Sequence, residues 1–189
     1  MPAPDRYWLF TWTTYGNRLP GAADGFVGNV RDEDGTQVVH NVPGTPVDAD
    51  MPGLERYVLA HMKGPPLTLD VPQADALVAQ YHQTVGVRGW KLEATSVMYN
   101  HTHLVVGVPG DPDPEAMLEL FKSWATRALK KLSPVPPNGT WRAVNGSKRR
   151  VKNVAAAVTY VVRKQPNPLA VWYAPEWQPV LDAWDRAES

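Results

Sequence analysis

Apolar and polar positions along this chain fall into a few short periodic stretches separated by turn-rich segments. Residues 7–15, YWLFTWTTY, combine aromatic and β-branched side chains with partial alternation, which predicts a strand ended by Gly16. Residues 16–50 keep no sustained period and are rich in Gly, Pro, Asp and Asn, so a long loop or arm is expected there. Leu54, Tyr57, Val58 and His61 then recur at helical spacing, a short helix over 52–62 stopped by Gly64-Pro65-Pro66. LTLDV (67–71) reads as a short extended piece. A helix over 72–85 follows, with Pro72 in its first turn and Gly86 and Gly89 breaking it.

Strands are predicted at 90–97 (WKLEATSV) and 101–108 (HTHLVVGV), with a bend at Asn100 between them. Residues 114–132 place Met117, Leu118, Phe121, Trp124, Ala125, Ala128 and Leu132 on one side of a helix whose second half is basic. Residues 133–153 read as a basic loop, and 154–164 as a final short helix ended by Pro166 and Pro168. The order strand, helices, strand, strand, helix, helix, without repeat or linker, predicts one α+β domain over 1–189 built on an antiparallel sheet.

Composition changes this picture little, but charge changes it. The chain has 189 residues and no cysteine, so disulfides and thiolate metal sites are excluded. The N-terminal stretch lacks the basic start and apolar run of a signal peptide, and no segment approaches the ~20 apolar residues of a membrane span. A cytoplasmic protein without membrane contact is expected, nucleoid-associated when bound to DNA. The formal net charge is zero, yet residues 1–99 hold 7 Lys+Arg against 11 Asp+Glu, while 121–164 hold 11 Lys+Arg and no acid. A polyanion would meet that second region rather than the average, which points to nucleic acid.

Candidate chemistry centres on YNHTHLVVGV. In a strand His101 and His103 share one face, roughly 6–7 Å apart, close enough to converge on one cation. Their sequence context excludes the usual H-x-H alternatives. No Asp-His pair follows as in zinc hydrolases, and no Glu appears before Glu115, where a double-stranded β-helix dioxygenase would want one a few residues on. Two imidazoles without thiolate or nearby carboxylate suit an open divalent site completed by substrate oxygens and water.

VMYNHTHLVVGV resembles the V-M-x-N-H-x-H-L signature of IS200/IS605-type single-tyrosine HUH transposases, most closely the branch associated with repetitive extragenic palindromes. WTTYG, the basic helix after the histidines and YVVRKQPNP resemble that branch too. The likeness is weak in 17–66 and clear in 90–170. It implies a ferredoxin-like HUH fold, an antiparallel sheet with helices packed on it and the histidines on a central strand. It also implies a nucleophilic tyrosine on a C-terminal helix, one divalent metal (Mg²⁺ or Mn²⁺) and a homodimer. The implied activity is cleavage and rejoining of single-stranded DNA next to hairpins through a 5′-phosphotyrosine.

Carried over, His101 and His103 become metal ligands and Tyr160 the nucleophile, whose bland alternative is a helix tyrosine packed with its hydroxyl at the surface. This sequence departs from the family in two places. Thr102 stands where a hydrophobic residue is usual. Lys164 occupies the position one turn after the tyrosine, where relatives often carry a third ligand, and a protonated ammonium cannot ligate. Gln165 is the substitute candidate for that ligand, with Lys164 turned to a phosphate. Lys122, Arg127, Lys130, Lys131, Arg142, Lys148, Arg149, Arg150 and Lys152 suit backbone phosphates. Trp141 either stacks on an unpaired base or folds onto the core. Asn100 is a candidate partner for a ligating imidazole. Two rival readings share these residues: a hairpin-binding relative that does not cut, and a metal-dependent phosphodiesterase in which water attacks.

Overall fold

The computed structural model describes residues 3–17, 19, 21–22, 28–31, 37–40, 51–134, 141 and 146–188. The first strand, β1 (Arg6–Thr13), buries Phe10 and Trp12 on one side of the sheet. A two-stranded hairpin, β2 (Gly28–Arg31) and β3 (Gln37–His40), stands in the segment expected to be an arm and pairs only with itself among the described residues. Helix α1 (Pro52–Ala60) buries none of its residues. In the expected extended piece that follows, the Leu67 and Leu69 amides donate to the carbonyls of Tyr15 and Tyr99 without forming a strand.

Helix α2 (Val71–Arg88) begins at a reciprocal cap in which the Asp70 carboxylate accepts from the Gln73 amide and the Gln73 side chain accepts from that of Asp70. It runs through Gly86, where a break was expected, and stops at Gly89 (φ 66°). A single glycine costs a helix only about 1 kcal/mol, whereas a left-handed residue ends it. Strands β4 (Lys91–Val97) and β5 (His101–Val108) come next, then α3 (Pro114–Leu132), β6 (Ser147–Arg150), α4 (Val154–Arg163), β7 (Ala170–Tyr173) and, after a 3-10 turn at Pro175–Trp177, α5 (Gln178–Ala187).

The sheet is antiparallel throughout, in the order β6-β1-β5-β4-β7. The unit β1-α2-β4-β5-α3-β6 is therefore the ferredoxin-like βαββαβ arrangement expected, with β7 added at the β4 edge. β5 lies at the centre and all its residues are buried. Helices α2 and α3 cover one face through Tyr81, Leu77, Phe121, Met117 and Leu118, packed on Phe10, Trp12, Leu104 and Val106. The other face carries Val105 and Ala94 under Val158, Val161 and Val162 of α4 and Leu181 of α5.

Two parts of the predicted outline are corrected. The basic loop contains β6, an edge strand whose Lys and Arg side chains stay in solvent while its backbone pairs with β1. The helix at 154–163 is not the last element, because β7 and α5 follow it. β7 is too short to show a period, whereas α5 and its N-cap carry Trp177, Leu181 and Trp184 at helical spacing, a pattern that sequence reasoning passed over.

Candidate functional site

Strand alternation sets the site. Leu104, Val106 and Val108 point into the α2/α3 core, which leaves His101, His103 and Val105 on the α4 side. The register places Thr13 opposite His101 and Thr11 opposite His103, with Ser96 of β4 flanking His103 from the other side. Both imidazoles are at least nine-tenths buried.

Each ring is held from its Nδ1. His101 Nδ1 lies 2.6 Å from the Asn100 side-chain oxygen, and His103 Nδ1 lies 2.6 Å from the Thr11 hydroxyl. The two rings stand almost perpendicular, with centroids 5.1 Å apart. An amide oxygen only accepts, so His101 donates from Nδ1 and its Nε2 is the nitrogen with a lone pair.

The third member comes from α4. Its buried residues Val158, Val161 and Val162 seat one side of the helix on β4 and β5. Tyr160 falls on the flank of that seat, and its ring lies edge-on to His103 at 5.6 Å between centroids while 41% of its surface stays exposed. Thus two buried imidazoles and one accessible phenol meet at the edge of a single layer. Among the described residues no group of three or more His, Asp or Glu side chains converges here or elsewhere.

The other predicted residues distribute less tightly. The Gln165 side-chain amide donates to the Tyr160 carbonyl at 3.1 Å, and the Lys164 ammonium sits 4.5 Å above the Trp184 ring, so the structure uses both at the end of α4. Lys122, expected at a phosphate, is buried in α3 with its ammonium 2.8 Å from Glu119. Arg127 lies 4.6 Å over the half-exposed Trp124 ring, and Lys130 and Lys131 are exposed in the last turn of α3, on the layer opposite the histidines. Lys148 pairs with Glu115, and its register with Phe10 puts it on that same layer, as does the register of Arg150 with Trp8. Arg149 pairs with Leu9 and so shares the histidine face, and Lys152 is exposed just before α4. Trp141 is buried on the core, the second of its two expected positions. Arg142 lies outside the described residues.

No protein-family model and no curated protein matches this chain. Among solved structures it is similar to the REP-associated tyrosine transposase bound to a REP hairpin, at 13% identity and a TM-score of 0.40, over 85% of this chain and 67% of that one. None of the described helices is long and apolar enough to cross a membrane.

Thr11 is the site residue that sequence reasoning missed. Its signal was the alternation in FTWTT, which puts Thr11 and Thr13 on one face, but only the β1–β5 register brings that face to the histidines. His61 and His82 take no part. His61 packs at a tilt against Tyr57, and His82 meets the Trp172 ring edge-on at 4.2 Å.

Proposed function

We propose that the protein cuts and rejoins single-stranded DNA beside hairpins, with Tyr160 as the nucleophile and His101 and His103 as ligands of a divalent cation. The observation that carries this reading is the contact between the exposed Tyr160 phenol and buried His103, made within one chain. A tyrosine packed only for stability would have no reason to keep its ring both open to solvent and against a motif histidine.

The donor set fits the cation. Both Nδ1 atoms are engaged by oxygen partners, an arrangement that orients imidazoles to ligate through Nε2. When bound, Mg²⁺ or Mn²⁺ would polarise the phosphate oxygens and offset the negative charge that builds on them during attack. This chain's own groups do the rest. Asn100 and Thr11 fix the ring planes, α4 presents the phenol, and Arg149 at the sheet edge supplies positive charge for the strand's phosphates. Attack by Tyr160 Oη on phosphorus breaks the P–O3′ bond, releases a 3′-OH and leaves the 5′ phosphate on tyrosine. Attack by a 3′-OH on that phosphotyrosine reverses the step, conserving the bond energy without ATP.

The test uses hairpin oligonucleotides taken from the DNA flanking the gene, labelled at either end and incubated with Mn²⁺. Wild type should give a covalent protein–DNA band on a denaturing gel, and Tyr160→Phe should abolish it. Free ends in both proteins would mean that water attacks. Intact DNA with tight, salt-sensitive binding would replace the enzyme with a non-cutting hairpin binder.

A further inference from the structure

Helix α4 seats on the sheet chiefly through short apolar side chains, Val154, Ala157, Val158, Val161 and Val162. Such contacts are non-directional, so they fix its rotation and slide less sharply than a directional bond would. Yet the approach of Tyr160 to His103 depends on both, and a displacement of about 1 Å at a reacting group can cost ~10²-fold in rate.

Directional contacts come instead from α5. Arg163 donates to Asp185 through two bonds, Nε to Oδ1 at 2.8 Å and Nη2 to Oδ2 at 2.9 Å. The next residue, Lys164, places its ammonium 4.5 Å over the Trp184 ring. A planar two-pronged pair specifies distance and angle together, and a cation over a ring specifies the approach direction. These two residues lie three and four positions after Tyr160, on the turn that follows it. The Tyr160 carbonyl is itself doubly engaged, by the Lys164 amide at 3.2 Å and the Gln165 side chain at 3.1 Å.

α5 is anchored in turn to the sheet. Trp177, the residue that caps its start, donates from Nε1 to Glu93 Oε2 at 2.8 Å, and Glu93 is fully buried at an irregularity of β4 between Leu92 and Ala94. Lys91 bridges Glu93 and Glu176, the former at 3.1 Å. A chain of directional contacts therefore runs from the strand next to the histidines, through α5, to the turn after Tyr160.

We propose that Trp184 and Asp185 are positioning residues that hold the last turn of α4 so that the Tyr160 phenol stays against His103. This rests on Tyr160 being the nucleophile. It also accounts for the Lys164 departure, since that side chain serves the clasp rather than a metal.

The experiment uses the full chain with Trp184→Leu, Asp185→Ala and the exchange Arg163→Asp/Asp185→Arg. Each is measured for hairpin affinity, for the single-turnover rate of covalent complex at saturating DNA, and by ¹⁹F NMR of 3-fluorotyrosine protein, with the Tyr160 signal assigned from Tyr160→Phe. The expected result is affinity within twofold of wild type, a rate lower by tenfold or more, and a moved or split Tyr160 signal, with partial recovery of both in the exchange variant. Unchanged rate and signal would overturn the clasp, as would affinity and rate falling together by the same factor. If wild type itself forms no covalent complex, the nucleophile reading fails, and the ¹⁹F signal alone then decides whether the clasp holds Tyr160.

Discussion

The two faces of the sheet are built from different materials. Toward α2 and α3 lie Phe10, Trp12, Tyr81 and Phe121, with Phe10 and Phe121 at 5.9 Å and Trp12 meeting Tyr81 edge-on at the same distance. Toward α4 and α5 lie mostly valines, alanines and two leucines, Leu9 and Leu181, with Tyr173 and Trp177 only partly buried, and beside them the histidines and Tyr160. The first face gains its stability from large interlocking rings. The second cannot, because the ends of β1 and β5 on that side carry Thr11, Thr13, His101 and His103 instead of apolar residues. What the second face lacks in buried area it replaces with hydrogen bonds and ion pairs, which fix position better than they add stability.

The largest effect should separate the faces directly. Phe121→Ala empties fully buried space among aromatic neighbours and should cost about 3–5 kcal/mol of unfolding free energy. Val161→Ala, equally buried under α4, removes two carbons and should cost about 1.5–2.5 kcal/mol. Urea denaturation of both variants checks the ordering. Equal losses would mean that the α4 layer contributes as much as the aromatic one, and the contrast would be lost.

A smaller effect probes the polar anchoring of the second face. Trp177→Phe keeps an aromatic ring but removes the N–H that meets buried Glu93 Oε2. Leaving that acceptor short should cost about 1–3 kcal/mol beyond the loss of part of the indole's volume. A double-mutant cycle with Glu93→Gln, read by the same denaturation, should show strong coupling between the two positions. Additive losses would show that the bond contributes little and that the indole matters only as volume.

The same contrast explains what could be read from the sequence. The aromatic face announces itself, since Leu77 and Tyr81 in α2 and Met117, Leu118, Phe121 and Ala125 in α3 recur at helical period. Those elements stand where the apolar pattern puts them. The histidines were legible for a related reason, because alternation in β5 forces both onto one face whatever the tertiary structure. Tyr160 was legible as a position on α4, but its contact with His103 depends on how α4 lies on the sheet, which no local pattern encodes. Thr11 was hidden because its role arises from register across ninety residues of chain. β6 was hidden because an exposed SKRR strand is defined by the backbone of its neighbour, whereas α5 with its N-cap carries an apolar stripe, Trp177, Leu181 and Trp184, that was legible beyond Pro166 and Pro168 and was missed. The basic run of 121–164 hid a third distinction, since Lys122 is buried against Glu119 while Arg149 faces the histidine layer.

The smallest effect lies back on the aromatic side and depends on pH. His82, on α2, sits partly buried with its ring edge-on to Trp172 of β7, and burial lowers its pKa below the ordinary 6.5. The folded state therefore favours neutral imidazole, and between the folded and unfolded values the unfolded chain binds more protons. This contribution to stability is fully present above about pH 6.5 and is lost as pH falls through the folded value. The thermal midpoint should fall slightly more steeply below pH 6.5 in wild type than in His82→Phe, which keeps a ring against Trp172 but does not titrate. Parallel midpoint curves for the two proteins would show that His82 charges without loss, and that the edge of this face is as open to water as the other.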